Sequence, residues 1–213
     1  MKTIITIGRQ YGSAGHSIGK ILADDLGIKY YDKELLERAA KDSGLCQELF
    51  ENHDGKNQPT AFLYSLVMDS YSFGYGSTMM DMPLNQKVFL AQFDAIKKIS
   101  QDGPCVIVGR CADYALEENP NVLSIFIKAD MQDRIRRIAK LYDLSDAKAK
   151  DKITKIDKQR ASYYNYYTSK RWGEVDSYDL CLNSSVFGID GTVDMIKQAI
   201  EVKEAGIRKI FST

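Results

Sequence analysis

A glycine-rich turn near the start of the chain constrains the fold more than any other feature. Residues 4–7 form an apolar run typical of a buried strand, and Gly12 and Gly15 follow closely. From Ile18 onward, apolar residues recur at helical spacing until Gly27 ends the pattern. A strand, a glycine loop and a helix in this order predict an anion-binding turn, because the loop amides and the positive helix end converge there.

This loop departs from the standard phosphate-binding sequence G-x-x-x-x-G-K-[ST] at two positions. Gly15 and Ser17 match it, whereas Gln10 replaces its first glycine and His16 replaces its lysine. Imidazole is shorter than a lysine side chain and is commonly neutral near pH 7, so it is a weaker phosphate clamp. Lys20, one turn along the helix, is another source of charge. The pattern fits either a phosphate cradle or an ordinary strand-to-helix turn.

Composition narrows the class of protein. The 213 residues suffice for one sizeable domain with an insertion, and 44% of them are hydrophobic. Lys+Arg and Asp+Glu number 29 each, so no overall charge attracts nucleic acid or an anionic membrane. No leader-like or membrane-spanning run is visible, which predicts a cytoplasmic protein. The four cysteines lack C-x-x-C spacing, which argues against a structural zinc site.

Strand-like and helix-like segments alternate along the rest of the chain. The strands are predicted over residues 28–31, 105–108, 123–127 and 178–182. The helices are predicted over residues 33–42, 84–99, 130–141 and 145–164, with a closing helix around 193–200. Between 45 and 100 the pattern predicts helices with a glycine hinge at 74–76. Such alternation implies a mostly parallel sheet with helices on both faces.

Two polar residues follow predicted strands at the edge where open α/β sheets bind ligands. Asp32 ends the second strand, where it suits either ligand contact or the N-cap of the next helix. Arg110 follows the strand at 105–108, and its guanidinium suits a bidentate grip on a phosphate. Arg9 is a further candidate for this crevice, with tying down the loop as its alternative role. No aspartate ends the strand at 105–108, so a Walker-B acid is absent there.

A basic segment spans residues 148–171, with eight lysines and arginines against Asp151 and Asp157. Tyrosines alternate with its charges, and Trp172 follows it. This pattern fits a lid that closes on phosphates, a solvated basic helix, or a surface that stacks single-stranded nucleic acid. The neutral net charge and the absence of an RNA-binding motif argue against nucleic acid as a partner.

Four ordered motifs resemble those of the cytidylate kinase-like family, a branch of the P-loop nucleoside monophosphate kinases. They are residues 8–15, residues 30–34, Val108-Gly109-Arg110, and Asp157-Lys158-x-Arg160 through Tyr178-Asp179-Leu180. The resemblance runs over most of the chain and is weakest between residues 45 and 100.

This resemblance implies an α/β, three-layer P-loop kinase fold with a five-stranded parallel sheet, in one domain over residues 1–213. A helical acceptor cap at 45–100 and a basic lid at 145–172 are its implied subregions. The implied ligands are ATP, Mg²⁺ and a nucleoside monophosphate acceptor such as CMP. The implied cofactor-binding residues are Gly12, Ser13, Ala14, Gly15, His16, Ser17 and Arg134, with Ser17 as the Mg²⁺ ligand. The implied catalytic residues are Asp32, Arg110, Lys158 and Arg160.

Two other functions remain compatible with the sequence. A regulatory protein that binds a nucleotide or phosphate without efficient catalysis would explain the missing loop lysine and Walker-B acid. A kinase of a non-nucleotide small molecule would explain the unusual middle region, which is expected to build the acceptor pocket. The sequence leaves the oligomeric state open.

Overall fold

The computed structural model describes residues 1–32 and 84–210. The chain divides into two compact units, one of Met1–Asp32 with Ser100–Thr213 and the other of Lys33–Ile99. The predicted helix at 33–42, the glycine hinge at 74–76 and most of the predicted acceptor cap lie outside the described residues. No helix in the described part of the chain has both the length and the apolar character needed to cross a membrane.

The first unit alternates strands and helices as the sequence predicts. Its strands are β1 (Ile4–Arg9), β2 (Lys29–Tyr31), β3 (Cys105–Val108), β4 (Val122–Lys128) and β5 (Leu180–Asn183). The helices among the described residues, of which α2 lies mostly in the second unit, are α1 (Gly15–Leu26), α2 (Leu84–Gln101), α3 (Ala112–Ala115), α4 (Met131–Tyr142), α5 (Asp146–Thr168) and α6 (Ser184–Ile210). A 3₁₀ turn at Val175–Ser177 precedes β5.

The five described strands form one parallel sheet in the order β2-β3-β1-β4-β5. In the register of the central strands, Ile5 lies opposite Val106 on one side and Leu123 on the other. Strands β2 and β3 lie on one side of β1, and β4 and β5 lie on the other side. The order of the strands therefore reverses at β1, and open α/β sheets form a ligand crevice at the carboxyl end of the strands at such a point. The five-stranded parallel α/β sheet of the sequence analysis is confirmed.

The main core surrounds the central strands. Ile5, Ile7, Val106 and Ile125 are fully or almost fully buried, as expected for strands covered on both faces. Helix α1 and the later part of α6 pack against them through apolar residues at helical spacing: Ile18, Leu22 and Ala23 from α1, and Val193, Ile196 and Ile200 from α6. Gly27 ends α1 with a left-handed φ of 63°, as predicted.

A smaller apolar cluster joins α4 and α5. Ile135 and Ile138 of α4 pack with Ala149 and Ile153 of α5. Helix α5 begins as the sequence predicts, because the Ser145 hydroxyl accepts a hydrogen bond from the Lys148 N–H at 3.4 Å. It continues to Thr168, four residues beyond the predicted end.

Two boundaries near the end of the first unit differ from the prediction. Strand β5 begins at Leu180, two residues later than predicted. Tyr178 caps the preceding 3₁₀ turn, because its N–H donates to the Val175 carbonyl at 3.2 Å. Its ring packs instead on Phe126, with centroids 4.9 Å apart. Helix α6 starts earlier than predicted and is kinked at Gly188, whose φ is 67°.

The second unit is described through α2 alone. This helix confirms the segment predicted over 84–99. Ala95, Ile96 and Ile99 are almost completely buried along it. The rings of Phe89 and Phe93 lie 6.1 Å apart, as residues one turn apart on a helix face do.

Candidate functional site

The glycine loop connects β1 to α1 at the carboxyl edge of the sheet. Gly12 has a φ of +82°, and a Cβ there would lie 3.1 Å from Ile138 Cγ1, so both conformation and space favour glycine. Ala14 has a left-handed φ of 63° and gives α1 no side-chain cap. The first turn of α1 contains no acidic residue. The amides at the start of α1 therefore suit an external anion.

Gln10 anchors the loop to the neighbouring strand β4. Its N–H donates to the Ile127 carbonyl at 3.0 Å, and its Oε1 accepts from the Ala129 N–H at 3.1 Å. The buried Ser13 hydroxyl donates to the Gln10 carbonyl at 2.9 Å, and the Ser184 hydroxyl donates to the Ser13 carbonyl at 2.8 Å. A side chain at position 10 thus holds the loop, which gives a physical reason for glutamine where the consensus has glycine.

Arg134 lies beneath this loop, almost completely buried. Its Nε donates to the Tyr11 carbonyl at 2.8 Å, and its Nη2 pairs with Asp157. Asp157 in turn accepts from the Tyr11 N–H at 2.7 Å. Arg137 of the same helix donates to the Gly12 carbonyl. Two of the Arg134 donors therefore bind protein groups that hold the loop in place.

Arg9 and Asp32 meet at the ends of β1 and β2. Arg9 Nη2 lies 3.7 Å from Asp32 Oδ1, and the two side chains are 19% and 16% exposed. His16 Nε2 lies 3.4 Å from Asp32 Oδ2, and its ring meets the Tyr30 ring edge to face. Asp32 is thus shared by Arg9 and His16. Its predicted role as a cap concerns residues outside the described part of the chain.

Arg110 follows β3 in an unusual backbone conformation. Gly109, Arg110 and Cys111 have consecutive φ values of 79°, 62° and 55°. Positive φ is uncommon for residues with a side chain and costs on the order of 1–3 kcal/mol, and such conformations cluster at ligand sites. This turn leads into α3, where Asp113 accepts a hydrogen bond from the Tyr164 hydroxyl of α5 at 2.5 Å.

Arg160 reaches the same edge of the sheet from α5. Its Nη1 donates to the Arg9 carbonyl at 3.0 Å, and its guanidinium carbon lies 5.4 Å from the centroid of the Tyr11 ring. Three arginines, at positions 9, 110 and 160, therefore surround the end of β1. The structure brings three of the predicted residues, Asp32, Arg110 and Arg160, close to the glycine loop.

The electrostatics of this edge favour an anion. Burial lowers the pKa of Arg9, Asp32 raises it, and Arg110 lowers it further. Burial lowers the pKa of Arg160 to about 9, and the neighbouring Arg9 contributes to this decrease. Arg160 is therefore still protonated near pH 7. Among the described residues, Asp32 raises the pKa of Arg9 and of Arg160, and Asp157, already paired with Arg134, also raises the pKa of Arg160. This excess of positive charge is typical of phosphate sites.

Two predicted residues lie outside these contacts. Lys158 is exposed on α5 and makes no hydrogen bond or ion pair within residues 1–32 and 84–210. Ser17 is exposed in the first turn of α1, likewise without a hydrogen bond in this part of the chain. Their predicted roles toward a nucleotide or Mg²⁺ stay predictions.

The described residues do not form a cage of three or more His, Cys, Asp or Glu side chains around a metal. Mg²⁺ in phosphotransferases commonly takes one or two protein oxygens, phosphate oxygens and water. Ser17 and Asp32 fit an ion that arrives with a nucleotide. Cys105, Cys111 and Cys181 are free, and burial raises the pKa of Cys105 to about 12. Cys105 and Cys111 are buried as core residues, Cys181 is half-buried, and Cys46 lies outside the described residues.

Sequence reasoning missed how closely α5 is attached to the loop. Asp157, Arg160 and Tyr164 follow one another at spacings of three and four residues, which places them on one face of a helix. Their contacts reach Tyr11, the end of β1 and α3. This spacing was a readable signal, but their partners lie 51 to 151 positions away in the chain.

Comparison with known proteins identifies relatives along the whole chain. The model of the cytidylate kinase-like family matches residues 4–186. A cytidylate kinase of Pyrococcus horikoshii is 25% identical over 214 residues, covering 98% of this chain and 95% of that protein. A cytidylate kinase of Methanococcus vannielii is 24% identical over 93% of this chain and 99% of that protein.

Solved structures share the fold of this chain. An uncharacterized protein from Eubacterium ventriosum superposes with a TM-score of 0.71 at 30% identity, covering 94% of this chain and 99% of that one. A shikimate kinase from Bacteroides thetaiotaomicron superposes with a TM-score of 0.53 at 13% identity, covering 94% and 99%, and this likeness concerns the fold alone. With most of its length matched by the family model, the chain belongs to the cytidylate kinase-like family.

Proposed function

We propose that this protein is an ATP-dependent phosphotransferase whose acceptor is a nucleoside monophosphate, with CMP as the first candidate. The family supports a kinase-like transferase, and the relatives named cytidylate kinase support this acceptor. The observation that carries the proposal is the cluster of Arg9, Arg110 and Arg160 beside the glycine loop, where the carboxylate of Asp32 is shared by Arg9 and His16. Such a cluster suits a reaction between two phosphate groups.

Phosphoryl transfer requires positioning and charge compensation. In this proposal the loop amides of residues 12–17 and the start of α1 hold the donor phosphates. Ser17 and Asp32 hold Mg²⁺, which when bound neutralises charge on the donor phosphates. Arg134 and Asp157 keep the loop in shape from beneath. The protein thus supplies a preorganised anion site without covalent chemistry.

Arg110 is proposed to bind the acceptor phosphate. It directly follows Gly109 after the end of β3, on a turn of left-handed residues at the edge of the sheet. Arg160 and Lys158, on the segment 145–172, are proposed to approach the transferring phosphates when this segment closes as a lid. The Arg160 contact with the Arg9 carbonyl brings α5 to the end of β1, where a closed lid would exclude water.

A coupled assay of ADP release tests the function. Purified protein with ATP and Mg²⁺ is screened against nucleoside monophosphates and small hydroxylated or phosphorylated metabolites. Turnover is expected with CMP. Turnover with a non-nucleotide acceptor alone would replace the proposal with a small-molecule kinase. Firm ATP binding without turnover on any acceptor would favour a regulatory protein, a role that the exposed imidazole of His16 in place of a lysine also suits.

Arg110→Ala separates the acceptor site from the donor site. A hydrogen bond to a charged group contributes about 1.5–3 kcal/mol, so transfer should fall by roughly one to two orders of magnitude while ATP affinity changes little. Steady-state kinetics and calorimetry measure both. Arg136→Ala, an exposed arginine on α4, is the matched control and should leave both unchanged. Loss of ATP binding by a folded Arg110→Ala protein would place this residue in the donor site.

A further inference from the structure

We propose that Arg9 supplies the permanent positive charge that contacts the transferring phosphoryl group. In the standard loop sequence a lysine supplies this charge. This inference rests on the proposed function. It concerns a side chain that precedes the consensus loop and that the loop sequence itself does not identify.

Two glycines, Gly15 and Gly109, leave the space that the Arg9 side chain occupies. A Cβ added to Gly15 would lie 2.6 Å from Arg9 Cβ, and one added to Gly109 would lie 2.0 Å from Arg9 Nη1. Real Cβ atoms do not approach neighbours that closely. The two glycines therefore let this side chain run from the end of β1, beneath the start of α1, to the end of β3. That path ends where donor and acceptor sites are proposed to meet.

Among the described residues, the hydrogen bonds leave donors of the Arg9 guanidinium available for a ligand. Its ion-pair partner Asp32 is 3.7 Å away, beyond hydrogen-bond distance. Within residues 1–32 and 84–210, no acceptor makes a hydrogen bond to this guanidinium. A guanidinium carries five N–H donors, and a largely buried one is costly without acceptors. With 19% of the side chain exposed, a phosphoryl group can reach it.

Comparison with His16 shows why Arg9 is the better cation. The His16 side chain is 62% exposed and lies beside Asp32. An imidazole carries charge only when protonated, whereas arginine is charged at all physiological pH values and binds phosphate in a bidentate manner. The fixed charge at this sheet edge is therefore supplied from position 9, and the loss of lysine at position 16 does not remove it.

The charges around Arg9 support a bound anion. Burial lowers its pKa, and the neighbouring Arg110 adds to this effect against the opposing influence of Asp32. A phosphoryl group placed between the two guanidinium groups would offset the repulsion between them. The contact would strengthen as negative charge develops during transfer, so its loss should appear chiefly in kcat.

The test compares Arg9→Met and Arg9→Lys with wild type and with Arg136→Met as the control. We expect Arg9→Met to lower kcat with the best acceptor by about 100-fold or more, with KM for that acceptor within about threefold. Arg9→Lys should recover part of the loss, because it keeps the charge but lacks the fork. By calorimetry, Arg9→Met should weaken ATP more than ADP, since the contact involves the terminal phosphate. Arg136→Met should match wild type.

Several outcomes would overturn the inference. If wild type turns over an acceptor and Arg9→Met retains its kcat, Arg9 only supports the loop and the proposed function stands. The same conclusion holds if Arg9→Lys is as impaired as Arg9→Met while both lose ATP and ADP equally. If Arg9→Met does not fold, Arg9→Gln replaces it as the uncharged variant: a kcat equal to wild type overturns the inference, and a tenfold or greater loss in a cooperatively melting protein supports it. If wild type turns over nothing, the proposed function fails and this inference with it.

Discussion

The two helices that flank the glycine loop, α1 and α5, are held by different interactions. Helix α1 places Ile18 and Leu22 fully in the central core. Helix α5 buries Ile153 in a small cluster with α4, against which Tyr11 of the loop also packs, and Asp157 and Tyr164 make its hydrogen bonds to the loop and to α3. One helix is an integral part of the sheet packing, and the other is attached to it at separate points.

This difference has a physical consequence. Apolar burial is non-directional and shared over many neighbours, so α1 is expected to move only with global unfolding. Hydrogen bonds and ion pairs are directional, and each can break while water replaces the partner. We therefore expect lower hydrogen-exchange protection in α5 than in α1 without ligand, and a gain in α5 with ATP and acceptor together. Equal protection in both states would favour a fixed helix over a lid.

Leu22→Ala should give the largest loss of stability. Leu22 is fully buried, and truncation of such a side chain costs about 2–5 kcal/mol. Urea unfolding monitored by circular dichroism measures the change. Leu141→Ala on α4 is the control, because that side chain is 67% exposed and its loss should be close to neutral. A loss confined to local exchange in α1 would show that this helix is not part of the core unit.

Asp157→Asn should give the next largest effect, about 2–3 kcal/mol. The change keeps the side-chain shape but leaves the buried Arg134 without its carboxylate, which costs several kcal/mol for fully buried pairs and less here because Asp157 is 17% exposed. Exchange should increase in α5 and the glycine loop more than in α1. Asp151→Asn, exposed on the same helix, is the control. An unchanged loop would mean that Arg137 and Gln10 suffice to hold it.

Tyr164→Phe should destabilise the protein by about 1.5 kcal/mol. The Tyr164 hydroxyl donates to Asp113, and its removal leaves a poorly solvated carboxyl without this donor. Exchange near the end of α5 reports the effect locally. Tyr166→Phe, with 66% of the residue exposed, is the matched control and should be neutral. A similar loss in both variants would assign the effect to helix propensity.

Asp113→Asn should give the smallest change in the free energy of unfolding. This change should be near zero in acid and should grow as the pH rises. Burial raises the pKa of Asp113, and the hydrogen bond from Tyr164 opposes this less strongly. A carboxyl with a raised folded-state pKa binds more protons in the folded protein, so its contribution to stability falls as pH rises above its ordinary pKa. Urea unfolding should show the stability of the variant increasing relative to that of wild type from pH 4 to pH 8. A pH-independent difference would show that Asp113 is ionised throughout, and Asp151→Asn serves as the control.

Several elements were predictable from the chain because their signals are local. The strand at 105–108 is a continuous apolar run, and α1 repeats apolar residues at helical spacing up to a glycine. Ser145 marked the start of α5 by its capping chemistry. Tyr178 was wrongly assigned to a strand, because its backbone is extended but its N–H caps the 3₁₀ turn at Val175–Ser177 and does not pair in the sheet.

Sequence alone determined the order of strands and helices, the position of the glycine loop and the residues that end strands at the crevice, since each depends on neighbours within a few positions. Tertiary structure decided which charges meet. The burial of Arg9 between Gly15 and Gly109, the pairing of Arg134 with Asp157 and the contact of Tyr164 with Asp113 join residues from separate elements. Local periodicity does not predict such contacts, because they form only when the sheet brings the ends of its strands together.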